Sequence, residues 1–79
     1  MATLLLFASI KEKLNTDSIP IDEELKTIAH LRAWLLETYP EIAPELESAI
    51  WAKNEEYVEM DTRIVSGDQI AIITPVSGG

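Results

Sequence analysis

The chain has no cysteine. That excludes a disulfide framework, a thiolate nucleophile, a cysteine-based zinc site and an iron–sulfur cluster. A single histidine, His30, excludes a cluster of imidazole ligands, and no metal site is expected. Basic residues are few: 6 Lys and Arg stand against 14 Asp and Glu, a net charge of −8 at pH 7. An acidic chain without a basic stripe repels phosphate backbones, so nucleic acid is not an expected partner. A basic protein surface is a better one, because opposite fields speed encounter. Long hydrophobic runs are also missing. The apolar start, Met1-Ala2-Thr3-Leu4-Leu5-Leu6-Phe7-Ala8, lacks the basic flank of a signal peptide and is interrupted by Lys11-Glu12-Lys13. It is too short to cross a bilayer. We read it as a first strand, and expect a soluble, cytoplasmic protein with no membrane partner.

What is present suits one small domain of 79 residues. An apolar fraction of 47% argues against disorder. Residues 3–8 predict a strand, with Leu4, Leu6 and Ala8 pointing one way and Leu5 and Phe7 the other. Residues 9–14 predict a charged connection holding at most one helical turn, and Asn15-Thr16-Asp17-Ser18 a turn. Ile19-Pro20-Ile21 predicts a short edge strand, since proline removes a ladder donor.

Residues 28–39 predict the main helix. Thr27 is its expected N-cap, acids at 22–24 precede it, and Ile28, Leu31 and Leu35 share one face. Pro40 ends it. A second short helix is expected over 41–46, with Pro44 near its start. Residues 48–53 predict a strand, Asn54-Glu55-Glu56 a turn, and Tyr57-Val58 a short return strand. Residues 60–65 connect to a tight turn, Ser66-Gly67-Asp68, and a last strand over 69–73.

The order ββαβ(β)β predicts an α+β roll in which one amphipathic helix covers one face of a mixed sheet. The first and last strands are the most apolar, so they should be adjacent and central. If Leu4, Leu6, Ile70 and Ile72 pack on the helix, then Leu5, Phe7, Ala71 and Ile73 lie on a face that nothing covers. Such a patch reads either as ordinary strand-forming residues or as a protein interface. Aromatic anchors such as Phe7 and Tyr57, at its edge, favour the interface.

The chain finishes Pro75-Val76-Ser77-Gly78-Gly79 directly after the last strand. Pro75 stiffens the exit, and the two glycines can thread a narrow channel. Five extended residues reach about 16–18 Å, enough to place a terminal carboxylate deep in another protein. That carboxylate is ionised and a poor electrophile. It reacts only once activated, most simply as an acyl-adenylate made with ATP, after which a sulfur donor could leave a thiocarboxylate. Without cysteine, any carried sulfur must sit on Gly79.

These residues resemble the small, sulfur-carrying subunits of molybdopterin synthase, the MoaD family of ubiquitin-like carriers. The resemblance spans nearly the whole chain. It rests on Leu5-Leu6-Phe7-Ala8 with Lys11-Glu12, on Asn54-Glu55-Glu56-Tyr57-Val58, and above all on residues 67–79. The family usually has a proline where Thr74 stands, and often Arg or Gln at Ser9.

The resemblance implies a β-grasp roll over 1–74 and an inserted tail over 75–79. It implies that an adenylating enzyme of the MoeB type spends ATP on Gly79, that no cofactor is held, and that Gly79 becomes a thiocarboxylate. It implies that the tail enters a large subunit of the MoaE type and gives sulfur to cyclic pyranopterin monophosphate, two transfers building the dithiolene. The assembly implied is a heterotetramer in which this chain is a carrier rather than a free-standing catalyst. Phe7, Tyr57 and Ile73 match docking positions, Pro75, Val76, Ser77, Gly78 and Gly79 the tail, and Lys11 a basic contact.

Rival readings are a ThiS-like carrier for thiamine thiazole synthesis, a ubiquitin-like modifier joined to lysines through Gly79, and a plain interaction module. The stretch 41–50 favours the molybdopterin branch. Trp34 and Trp51 read as packing residues, His30 as a surface residue, and the acids as solvated faces rather than a calcium loop.

Overall fold

The last strand lies at the centre of the fold. In the computed structural model, which describes residues 1–75, the elements run β1 (Ala2–Leu5), α1 (Ala8–Leu14), β2 (Ser18–Ile21), α2 (Ile28–Thr38), a 3-10 turn (Pro40–Ile42), α3 (Ala43–Glu47), β3 (Ile50–Lys53), β4 (Glu56–Val58) and β5 (Gln69–Ile73). The strands form one mixed sheet in the order β2-β1-β5-β3-β4. β1 and β5 are parallel neighbours, as expected for the two most apolar strands, and the other pairs are antiparallel.

Strand alternation sorts the two faces. Leu4 pairs with Ile70 and Trp51 with Ile72, and all four side chains are buried. Against them α2 lays Ile28, Leu31 and Leu35, none of which is exposed at all. Trp51 therefore belongs to the core. Trp34 is half-buried and meets Tyr39 edge-on, with ring centroids 5.9 Å apart.

α2 begins where its cap predicts. Thr27 Oγ1 accepts from the His30 amide at 3.2 Å. The next orphan donors of the first turn are taken by the approach to β5. The Ile28 amide donates to the Thr62 carbonyl at 3.0 Å and the Ala29 amide to that of Met60 at 2.8 Å. The helix stops at Thr38, one residue before the expected end, with Tyr39 as its C-cap ahead of Pro40.

Four elements differ from expectation. The first strand ends at Leu5 rather than residue 8, because the chain turns at Phe7 and Ala8. Leu6 is still buried and Phe7 still faces out, but Ala8 has φ 50° and is exposed, so it does not join Leu4 and Leu6. The charged connection over 9–14 is instead the seven-residue α1. Ile10 and Leu14 lie at i and i+4, Ile10 is fully buried, and Asn15 closes the helix in the left-handed region, which asparagine tolerates. The single short helix over 41–46 is a 3-10 turn followed by α3, with Pro44 in its first turn. One main helix thus has two small companions, α1 and α3, tied by Lys13 Nζ, which lies 2.9 Å from Glu45 Oε2. β3 also starts at Ile50 rather than residue 48.

The hairpin between β3 and β4 turns on two residues, Asn54 and Glu55, with φ 50° and 72°. Two consecutive positive φ values are the type I′ pattern, which matches the twist of paired strands.

Candidate functional site

The register of four strands builds the uncovered face residue by residue. Leu5 pairs with Ala71, Ala71 with Ala52, and Ala52 with Tyr57, giving one row across β1, β5, β3 and β4. Its centre is two alanines, so the row is low in the middle and high at its ends. The result is a depression of about 400 Å³ lined by Leu5, Phe7, Ala52, Glu55, Tyr57, Gln69, Ala71 and Ile73. Phe7 is 50% exposed, Tyr57 76% and Ile73 36%. Large apolar side chains held this open, side by side, form a patch rather than scattered surface residues.

The structure thus brings Phe7, Tyr57 and Ile73 around one hollow. Lys11 lies on the adjoining dip, which shares Leu5 and Phe7 with it and includes Asp17. Pro75 is exposed just past β5. Val76, Ser77, Gly78 and Gly79, the rest of the expected tail, lie outside the described residues. Ile50, Ala52, Glu55 and Gln69 were not placed on this face by the sequence reading. Ile50 is 42% exposed and pairs with Ile73. Placing Trp51 inward would have sent Ile50 and Ala52 outward. Glu55 was read only as a turn residue.

Behind the face sits a polar node that holds the hairpin to β5. Asp68 is buried, and its Oδ2 accepts from the Val65 amide at 2.8 Å. Its Oδ1 accepts from Asn54 Nδ2 at 3.0 Å, and Lys53 Nζ lies 3.9 Å away. The Val65 bond first, then the Asn54 bond and the Lys53 charge, hold the carboxyl below its ordinary pKa against the opposing effect of burial. Asn54 also accepts from the Gln69 amide at 2.9 Å, so one side chain at the end of β3 holds two successive residues at the start of β5. The Val65-Ser66-Gly67-Asp68 turn closes with Asp68 donating to Val65 at 3.1 Å, and Gly67 takes the φ of 92° that its position requires.

Among the described residues no group of three or more His, Cys, Asp or Glu could hold a metal ion. Among them, too, no helix is long and apolar enough to cross a membrane. What the site offers is an open, largely apolar hollow beside the end of β5.

Comparison with known proteins gives the same picture at several levels. The ThiS family profile matches residues 4–79. The chain is 46% identical over 80 residues to a molybdopterin synthase sulfur carrier subunit of Dictyostelium discoideum, covering 96% of this chain and 93% of the relative. Its fold resembles SAMP1 from Haloferax volcanii, with a TM-score of 0.82 at 21% identity, covering 99% of this chain and 98% of that one. It also resembles a chain in the protein–protein complex of subunits 1 and 2 of molybdopterin-converting factor from Helicobacter pylori 26695. There the TM-score is 0.73 at 24% identity, with 99% of this chain and 97% of that one covered. The two structural likenesses carry the β-grasp fold.

Proposed function

The chain belongs to the ThiS family, and from that membership we propose that it is the sulfur carrier subunit of a molybdopterin synthase. The near-full-length likeness to the Dictyostelium sulfur carrier subunit is the observation that carries this reading, and it favours that branch over thiazole synthesis. The geometry supports it independently. A carrier needs a face to grip partners and a reactive end beside that face, and β5 supplies Ile73 to the hollow just ahead of Thr74 and Pro75.

The proposed cycle begins at Gly79. Its carboxylate attacks the α-phosphorus of ATP in the site of an adenylating partner, and pyrophosphate leaves. A sulfur donor then displaces AMP from the mixed anhydride, leaving a thiocarboxylate. Sulfur is softer and more nucleophilic than a carboxylate oxygen, so the same end now serves as a nucleophile. In the large subunit its sulfur forms a C–S bond to a carbon of the cyclic pyranopterin monophosphate, an oxygen substituent leaving that carbon, and a thioester joins the two. Water then attacks the thioester carbonyl and breaks the acyl C–S bond, so the sulfur stays on the pterin and the Gly79 carboxylate is free for another round. The large subunit holds the catalytic side chains; this chain contributes the grip and the sulfur. The assembly is a heterotetramer of two carriers and two large subunits, and it works in the cytoplasm.

Intact mass tests the reading. With ATP, an adenylating enzyme and a sulfur source, the chain should gain the mass difference between sulfur and oxygen. Deleting Gly79 should abolish the gain and leave the melting temperature unchanged, since a chain end contributes little to stability. A modifier would instead form larger covalent species. A chain that gains no mass, or a deletion variant that gains it equally, overturns the proposal.

A further inference from the structure

We propose that Glu55 is a specificity-determining contact, receiving an arginine or lysine that the large synthase subunit presents at the rim of the apolar hollow. The inference rests on the docking reading above and assigns a charge pairing within it. Among the described residues, Glu55 is the one charged side chain lining the hollow, which it shares with Tyr57 and Gln69.

Its backbone is the second observation. Glu55 occupies the second central position of the hairpin turn with φ 72°, where glycine is the residue without strain. Its neighbour Asn54 also has positive φ, but the fold uses that side chain: it bonds Asp68 and Gln69. Glu55 makes no side-chain hydrogen bond or ion pair among the described residues, so no contact within the domain accounts for a large charged group there. Strain retained without an internal use points to an external one. The third observation is charge. A chain at −8 approaches a basic surface readily, and a carboxylate on the edge of an apolar patch converts that general attraction into one orientation. The hollow supplies area; Glu55 supplies direction.

The test is calorimetric affinity for the large synthase subunit of the same organism, measured at low and at high salt, with melting temperatures for each variant. Glu55→Gln should weaken binding about three- to tenfold at low salt with an unchanged melting temperature. Glu55→Lys should weaken it further, and both losses should shrink at high salt. Glu55→Gly should melt higher than the wild type yet bind as weakly as Glu55→Gln, which separates the role of the charge from the comfort of the turn. Ile73→Asp serves as the face control. If Ile73→Asp abolishes binding while Glu55→Gln and Glu55→Lys bind like the wild type, the pairing is wrong and the docking face stands. If Ile73→Asp binds like the wild type, the docking reading itself fails.

Discussion

The side-chain amide of Asn54 donates to Asp68 Oδ1 at 3.0 Å, so a hairpin turn and the start of the central strand share one part-buried bond. The pair is 14 residues apart in sequence. Asp68 is buried, so removing Asn54 leaves its Oδ1 without this donor, which costs about 1–3 kcal/mol at a buried site. Asn54→Ala should therefore lower the melting temperature by about 4–8 °C per kcal/mol lost, in a domain of this size.

Asp68 adds a pH signature. Its folded pKa is depressed, so the unfolded chain binds more protons in the titration range. The stability it contributes is fully present above the ordinary aspartate pKa of about 3.9 and is lost as pH falls through the lower folded value. Asp68→Asn cannot titrate. Its melting temperature should start lower at neutral pH and fall less steeply below about pH 4 than that of the wild type. Parallel acid limbs for the two proteins would refute the assignment.

Glu55→Gly should raise stability. A non-glycine residue in the left-handed region costs about 1–2 kcal/mol, offset by about 0.4–1 kcal/mol from the greater freedom of glycine when unfolded, so a net gain on the order of 0.5–1 kcal/mol is expected. Thermal or urea unfolding of the variant measures it directly.

The fold was legible where residue chemistry has one structural meaning. Thr27 followed by Ile28, Leu31 and Leu35 reads as a capped helix, and Pro40 as its end, because a cap, a stripe and a missing donor each admit few alternatives. The flat alternation of β5 told which isoleucines face in. The first strand was overextended because the run of leucines, Phe7 and Ala8 carries no period of its own, and only the paired strand and the turn at Ala8 set its end. α1 was missed for a related reason: Lys11, Glu12 and Lys13 look like a solvated link until Ile10 is seen buried beneath them. At the site, Phe7, Tyr57 and Ile73 could be placed on one face from strand period. The hollow between them could not, since it depends on which alanines the register sets side by side. Asp68 read as a turn residue because nothing local reveals that Asn54 comes to meet it.

The ion pair between α1 and α3 should matter less than the buried node. Lys13 is 40% exposed and Glu45 13%, and Lys13 also donates to the Glu41 carbonyl at 3.1 Å. The bond from Lys13 holds the Glu45 carboxyl below its usual range, but water screens much of that interaction. Lys13→Ala should cost under about 1 kcal/mol, and high salt should narrow the difference from the wild type. A loss as large as that of Asn54→Ala would mean that α1 depends on this contact rather than on Ile10.

Truncations on the two faces of the sheet should have opposite consequences. Leu35 is fully buried against the sheet, so Leu35→Ala removes packed atoms and leaves a cavity, a loss of about 2–5 kcal/mol. A small domain holds only about 5 kcal/mol or little more, so this variant should keep at most about 3 kcal/mol and melt far below the wild type. Tyr57 on the opposite face is 76% exposed, and its ring has nothing to lose on truncation but contact with a partner. Tyr57→Ala should shift stability by no more than about 0.5 kcal/mol. It should weaken binding to the large subunit by at least about tenfold, the scale of an aromatic anchor at the edge of a desolvated patch. Phe7→Ala, half-exposed on the β1 side of the same hollow, should follow the same pattern less cleanly. Urea unfolding and calorimetric binding on the same preparations give both quantities. If Tyr57→Ala lost stability and affinity together, the open side of the sheet would be core that another part of the chain covers in solution. If it lost neither, the hollow would be plain strand surface, and the grip would have to come from the tail alone.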